Sequence, residues 1–284
     1  MMPAPSTIAR VVLCQVLVGA AVAEFAAGIA RPALPPMGWR SWNWFACGVN
    51  QTIMEQQAAA IAATPSWASK SLLQLGYSHI GLDDCWQSCT GPKGSFHDKT
   101  TGDPIVNTTA FPSLAEMVSH AAALGLSSGF YGDNCQCHVG EKLSHMGTHY
   151  AQDAALTLKA GFAGTKIDSC GNLRNMTAYA ALFAAANRTM LVESCGNGPV
   201  GTEPKEDWPP QASYLDMLKN TCPWSLYRVS LDMGPTFLST VYNVNRGLPF
   251  LERGPGVAPL SRPASWLLPF PSSLLLKKPR PSLL

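Results

Sequence analysis

Lys166 and Asp168 stand two residues apart in the segment Gly164-Thr-Lys-Ile-Asp-Ser-Cys170. In an extended chain that spacing sends both side chains to one face. An ammonium beside a carboxylate keeps the acid ionised, and an ionised carboxylate can attack an electrophilic carbon. On this segment alone two other roles suit Asp168: capping of the next helix, or a structural ion pair with Lys166. A second acidic pair, Asp83 and Asp84, ends the run 77–84. Neighbours on a strand face opposite ways, so at most one of these acids looks into a site while the other braces a neighbour. Trp39, Trp42 and Trp44 offer aromatic faces to the apolar side of a sugar ring, with core packing as the alternative and the preferred role for Trp39.

The elements that must position these residues follow from periodicity. Residues 37–43 read as a short extended run. Residues 51–75 carry Ala, Ile and Leu at helical spacing, interrupted at Pro65, and end at Gly76 in a C-cap position. Strands are expected at 77–84, 127–131, 164–168, 190–194 and 225–232, and helices at 113–124, 149–160, 178–187 and 236–246. Residues 86–112 form a long Gly, Ser, Thr, Asp and Pro-rich connection, of a length that marks function or disorder. Strand and helix alternating this regularly imply parallel βαβ units. Trp42, Asp83, Asp84, Tyr131, Lys166, Asp168 and Asp232 gather at strand ends, where a (β/α)₈ barrel assembles its site. A doubly wound sheet is the alternative, but it usually carries an early Gly-rich phosphate loop and none is present.

The chain of 284 residues is 46% hydrophobic and 13% charged, a composition that supports one large core. With a net charge of +2 and no long basic stripe, nothing argues for nucleic acid. Residues 1–23 read as a secretory signal: Arg10 is the positive region, 11–20 the apolar run and Ala21-Val-Ala23 the cleavage site. An N-terminal anchor is the alternative, although the run is too short to span a bilayer. Residues 24–36, with Arg31-Pro-Ala-Leu-Pro-Pro36, form a stiff linker. Beyond Cys14, the eight cysteines Cys47, Cys85, Cys89, Cys135, Cys137, Cys170, Cys195 and Cys222 read as four disulfides of an exported protein. Cys135-Gln-Cys137-His138 suggests a metal site but lacks a second matching pair. Asn50-Gln-Thr, Asn107-Thr-Thr, Asn175-Met-Thr and Asn187-Arg-Thr are sequons compatible with a glycoprotein. A secreted or lysosomal or vacuolar location is expected.

Five runs, Pro35-Pro-Met-Gly-Trp39, Leu82-Asp-Asp-Cys-Trp86, Phe130-Tyr131, Lys166-Ile-Asp-Ser-Cys170 and Tyr227-Arg-Val-Ser-Leu-Asp232, follow one another over residues 35–245. Together they resemble glycoside hydrolase family 27, the α-galactosidases and α-N-acetylgalactosaminidases. The resemblance implies a retaining α-glycosidase on a (β/α)₈ barrel, with a carbohydrate substrate and neither metal nor organic cofactor. It implies Asp168 as nucleophile and Asp232 as general acid/base. Trp42, Asp83, Asp84, Tyr131, Lys166 and Arg228 match positions that hold the sugar, and Cys195 opens the loop that reads its C2 substituent. Cys47 with Cys85 and Cys195 with Cys222 match family disulfides, and Cys170 pairs with Cys135 or Cys137, leaving the other for Cys89. A retaining mechanism needs two carboxyls about 5 to 5.5 Å apart, one ionised and one protonated. Lys166 would hold Asp168 charged, whereas Asp232 needs a raised pKa.

Two stretches depart from the family pattern. The loop after the fifth strand reads Cys195-Gly-Asn-Gly-Pro199, where the α-galactosidases read Cys-Glu-Trp and the N-acetylgalactosaminidases Cys-Ser-Trp. Glu193 precedes it, and strand alternation leaves open whether it enters the site or the core. Ser261-Arg-Pro-Ala-Ser-Trp266 resembles the family's segment near the eighth strand, and 267–284 reads as an irregular Pro, Ser, Leu and Lys tail from truncation or frameshift. The expected organisation is a barrel over 37–266, incomplete at its C-terminal end and lacking the family's β-sandwich domain. The alternatives are α-N-acetylgalactosaminidase or β-L-arabinopyranosidase action at the same site, or an inactive sugar-binding remnant.

Overall fold

A computed structural model describes residues 28–30, 36–132, 135–137, 149–168, 175–197, 223–228, 232, 234, 236–251 and 262–263. The expected signal, most of the linker, the tail, Cys170 and Cys222 lie outside the described residues. Seven parallel strands form one sheet in sequence order: β1 (Met37–Arg40), β2 (Tyr77–Gly81), β3 (Ser127–Tyr131), β4 (Gly164–Ile167), β5 (Leu191–Asn197), β6 (Leu226–Arg228) and β7 (Arg262–Pro263). Between them run α1 (Trp42–Phe45), α2 (Gln51–Ala62), α3 (Leu114–Ala123), α4 (Tyr150–Lys159), α5 (Met176–Ala185) and α6 (Phe237–Leu251). Every neighbouring pair is parallel, the pattern that helical crossovers produce.

The sheet is curled. Strands lie about 4.8 Å apart, so a flat sheet would hold β1 and β5 roughly 19 Å from each other. Yet Arg40 on β1 reaches Glu193 on β5 at 3.0 Å, across the concave side. That curvature is the barrel's, built here from seven strands among the described residues.

Local chemistry sets the helix limits. The Asn50 side chain accepts from the Ile53 amide at 2.9 Å and opens α2. Ser113 does the same for Glu116 at 3.2 Å in α3, and Asn175 for Ala178 at 3.0 Å in α5. Asn175 therefore starts α5 two residues before the periodicity alone suggested. The helix expected over 51–75 stops at Ala62, because Ala63 is already extended (ψ 141°) ahead of Pro65. A 3₁₀ turn, Leu73–Leu75, follows and ends at Gly76, whose φ of 97° is left-handed. Residues 37–43 are not extended throughout: Ser41 is already helical and accepts from the Phe45 amide at 3.0 Å, which winds α1. Among the described residues, Leu226, Tyr227 and Arg228 of β6 pair with β5, while residues 229–231 of the expected strand lie outside the described residues. Arg262 and Pro263 pair with Leu226 and Tyr227, so the segment expected near an eighth strand occupies the seventh place in the sheet.

Two apolar clusters hold the sheet to its helices. Trp39, Ile80, Leu82, Phe130 and Phe162 pack against Met54, Ala58, Ile61, Met117 and Val118 of α2 and α3. Ile167, Val192 and Trp224 pack against Met176, Tyr179, Ala180 and Phe183 of α5. Trp39 is a core residue, edge-on to Phe45 with ring centroids 6.0 Å apart. The 86–112 connection is ordered. Antiparallel bridges pair Gln87 with Val106 and His97 with Pro104, and His97 Nε2 lies 2.9 Å from Asp153 Oδ1 on α4.

His79 on β2 is buried with Nδ1 3.1 Å from Ser127 Oγ, and burial, helped by the Arg40 charge, lowers its pKa from 6.5 to about 3. A histidine depressed in the folded state is protonated first in the unfolded chain. Its contribution to stability is therefore whole above pH 6.5 and lost progressively down to about pH 3. The slope is about 1.4 kcal/mol per pH unit. The raised carboxyls of Asp84 and Asp153 act in the opposite sense, so the comparison must be between variants. His79→Gln, which keeps a partner for Ser127, is expected to remove about 2 to 3 kcal/mol of the stability change between pH 7 and pH 4.5 in urea titrations.

Candidate active site

At the carboxyl ends of β1, β2, β4, β5 and β6 a cluster of charged side chains shares one buried space. Lys166 Nζ donates to Asp83 Oδ2 at 2.9 Å and lies 3.5 Å from Asp168 Oδ2. Arg40 Nη1 lies 3.5 Å from the same Asp83 oxygen and donates to the Leu82 carbonyl at 3.3 Å, while Nη2 donates to Glu193 Oε2 at 3.0 Å. Each charge is matched by its neighbour. Burial pulls the Lys166 ammonium down, but the negative groups around it, Asp83 foremost and Asp168 among them, together outweigh burial and the net pKa is raised. Arg40 follows the same pattern, with Glu193 as the leading counter-charge.

Asp168 stands one residue past β4 with its side chain 16% exposed, the position from which a strand-end carboxylate meets a ligand. The Tyr131 hydroxyl, from the end of β3, donates to Asp168 Oδ2 at 3.1 Å and lies 2.7 Å from Cys135 Sγ. Lys166 Nζ sits 5.2 Å from the centre of the Tyr131 ring. Tyr131 is in turn held by its carbonyl, which accepts from Trp86 Nε1 at 2.9 Å.

Asp83 and Asp84 divide their work as strand alternation requires. Asp83 faces Lys166 and Arg40, whereas Asp84 Oδ1 accepts from the Cys85 amide at 2.7 Å and from Gln87, and Oδ2 accepts from the Gln136 amide at 3.0 Å. Asp84 thus ties the loops after β2 and β3, and its burial raises its pKa despite these bonds. Two disulfides fix the same loops: Cys47 with Cys85 and Cys89 with Cys137. The second resolves the choice left by the sequence, and because Cys137 is bridged, its sulfur is no metal ligand. Cys135 is also disulfide-bonded, to a partner outside the described residues.

On β6, Arg228 Nη1 lies 3.3 Å from Cys195 Sγ and Nη2 3.2 Å from Asp232 Oδ1. Burial lowers the Arg228 pKa, but Cys195 first, with Asp232 and more weakly Asp168, outweighs it and the net shift is upward. Asp232 is the open side of the site, with its side chain 60% exposed. Trp42 is half-buried on α1, directly after β1.

Of the expected Cys195 to Cys222 disulfide, Cys222 lies outside the described residues, and Cys195 stands as a free, buried thiol. Its sulfur points at Arg228 from inside the sheet's curve, and burial pushes the thiol up to about 12. Sequence reasoning also passed over Arg40 and did not place Glu193. The available signal was a charge within each apolar strand, Trp39-Arg40 and Leu191-Val-Glu193, since such charges are rarely buried unpaired.

A curled parallel sheet whose carboxyl ends carry converging acids and cations has the architecture of a (β/α)₈ barrel enzyme. The family model described as Melibiase_2: Alpha galactosidase A matches residues 34–242, and the chain belongs to this family. An α-galactosidase of Cyamopsis tetragonoloba is 32% identical over 140 residues, covering 49% of this chain and 31% of the relative. Alpha-galactosidase 3 of Arabidopsis thaliana is 31% identical over 169 residues, covering 57% and 34%. The chain thus spans about a third of the length of the curated relatives it matches. Two crystal structures from Bacteroides fragilis share the fold. A proposed α-galactosidase covers 71% of this chain and 39% of its own with TM-score 0.50 and 23% identity. A proposed α-galactosidase/melibiase covers 76% and 44% with TM-score 0.52 and 20% identity.

Removing one charge from a buried cluster leaves its partner uncompensated. Lys166→Met is expected to cost about 3 kcal/mol in urea unfolding, and adding Asp83→Asn is expected to recover part of that loss.

Proposed function

We propose that this chain carries the site of a retaining glycoside hydrolase that cleaves terminal α-D-galactosyl residues by double displacement. The observation that carries the reading is Asp168 at the end of β4, oriented by Tyr131 and Lys166, with Asp232 paired to Arg228 of β6. In this reading Asp168 attacks the anomeric carbon and forms a glycosyl ester. Asp232 protonates the departing oxygen, then takes a proton from the water that hydrolyses the ester. Asp83, buried against two cations, accepts from a sugar hydroxyl, and Trp42 lends an aromatic face. The chemistry uses neither metal nor organic cofactor.

The loop from Cys195 lies where the family resemblance puts recognition of the sugar's C2 substituent. A free thiol and Gly-Asn-Gly in place of Cys-Glu-Trp support a pocket with altered specificity, for which α-N-acetylgalactosaminidase and β-L-arabinopyranosidase action are the nearest alternatives. The exposure of Asp232 favours a second reading, sugar binding without turnover, because a general acid needs a desolvated setting to stay protonated near neutral pH. The A-x-A site, the sequons and the disulfides support an exported glycoprotein, secreted or delivered to a lysosome or vacuole.

A panel of aryl glycosides separates these readings. Aryl α-galactoside is expected to be the best substrate, and Asp168→Asn is expected to reduce kcat by about 10³-fold or more while leaving galactose binding in calorimetry. Unchanged turnover in Asp168→Asn overturns the assignment of the nucleophile. Binding with no turnover of any glycoside by the folded wild-type chain establishes the second reading.

A further inference from the structure

Arg40 and Glu193 form an ion pair across the concave side of the sheet, from β1 to β5, with neither residue among those expected to touch a sugar. Their side chains are 11% and 12% exposed, so water contributes little to their solvation. Such a pair is an expensive way to hold two strands, and similar apolar residues would serve as well. The pair does not stop at two charges, however. Contacts run from Glu193 to Arg40 at 3.0 Å, Arg40 to Asp83 at 3.5 Å, Asp83 to Lys166 at 2.9 Å and Lys166 to Asp168 at 3.5 Å. Signs alternate along the whole line.

We propose that Glu193 and Arg40 are positioning residues that set how Lys166 is shared between Asp83 and Asp168, and so set the negative charge available on Asp168. The proposal rests on Asp168 being the nucleophile, as above. With Glu193 in place, Arg40 is satisfied at 3.0 Å and makes only the longer 3.5 Å contact to Asp83. Asp83 then keeps its close bond to Lys166, and the ammonium stands off from Asp168. The other titratable or charged groups facing this line are His79 on β2, Asp84 after it, Tyr131 on β3, Cys195 on β5, and Arg228 with Asp232 at β6.

Two variants act with opposite signs. In Glu193→Gln the Arg40 charge is no longer opposed, so the cluster becomes more positive and Asp168 takes up its proton at lower pH. In the double variant Arg40→Leu with Glu193→Leu the charge count is unchanged, but Asp83 has Lys166 as its remaining cation in the line. Lys166 is drawn further from Asp168, which then takes up its proton at higher pH. The apolar pair replaces both charges at once, so this variant folds even where Glu193→Gln does not.

The test is a ¹³C NMR titration of the Asp168 carboxyl in the full chain, with the acid limb of kcat/KM for aryl α-galactoside measured beside it. The expected result is a shift of about half a pH unit downward in Glu193→Gln and a similar shift upward in the double variant. In the kinetic arm kcat changes and KM stays. Loss of melting temperature with no movement of the Asp168 titration in either variant makes the pair a strut and overturns the proposal. If Glu193→Gln does not fold, the double variant decides alone, an upward shift supporting the proposal and no shift overturning it. A wild-type chain that turns over no glycoside sinks the hydrolase reading, while the NMR titration still answers whether the charge line operates.

Discussion

Charges withdrawn from water must find each other, and that requirement organises the concave side of this sheet. Asp83 is 2% exposed and Lys166 6%, levels at which an isolated ion would neutralise itself or force the chain to open. Neither is isolated. Asp83 takes two cations, Lys166 from β4 and Arg40 from β1, and Arg40 takes a second carboxylate, Glu193, from β5. The contributors come from strands that are not all neighbours, so the ion contacts exist only when the sheet is curled. Curvature and charge pairing are therefore one condition: flatten the sheet and Arg40 and Glu193 are both orphaned.

Around that centre the loops are fixed by means that do not involve charge. Cys47 to Cys85 ties the turn after β1 to the loop after β2, and Cys89 to Cys137 ties that loop to the one after β3. Trp86 adds a hydrogen bond to the Tyr131 carbonyl and packs against Phe130 at a 42° tilt, with centroids 4.6 Å apart. On the far side of the 86–112 connection, His97 and the Tyr179 hydroxyl, at 2.9 Å and 3.2 Å, both reach Asp153. A long polar connection that would otherwise be mobile is thereby pinned at both ends, and Tyr131 has a rigid base from which to orient Asp168.

Much of this was legible in the sequence because it depends on short-range rules. Strand and helix alternation gave the parallel order, and period-two reasoning correctly divided Asp83 from Asp84. Ser113, Gly76 and the strand over 127–131 obeyed local capping and propensity signals. What escaped depends on which strands meet across the curve. Alternation said that Glu193 faces one side or the other, but not that Arg40, 153 positions earlier, waits there. Likewise, an even cysteine count argued for complete pairing, yet Cys195 lies free beneath Arg228. The turn at Trp42 was misjudged for the opposite reason, since aromatic residues favour strands and only the backbone of Ser41 determines that the chain winds there.

The unequal distances from Lys166 bear on what the site can do. A nucleophilic carboxylate must be ionised yet not so tightly bound that its lone pairs are withheld from an incoming carbon. An ammonium seated on Asp168 would ensure the first and spoil the second. Here Lys166 is closest to Asp83, at 2.9 Å, and reaches Asp168 at 3.5 Å, while the tyrosine hydroxyl donates to the same Oδ2. Both of these contacts fall on that one oxygen, so the cation and the hydroxyl orient the group through Oδ2. In the proposed reading, the close bond to Asp83 moderates the cation's hold on Asp168, which suits an acid that must remain both charged and reactive.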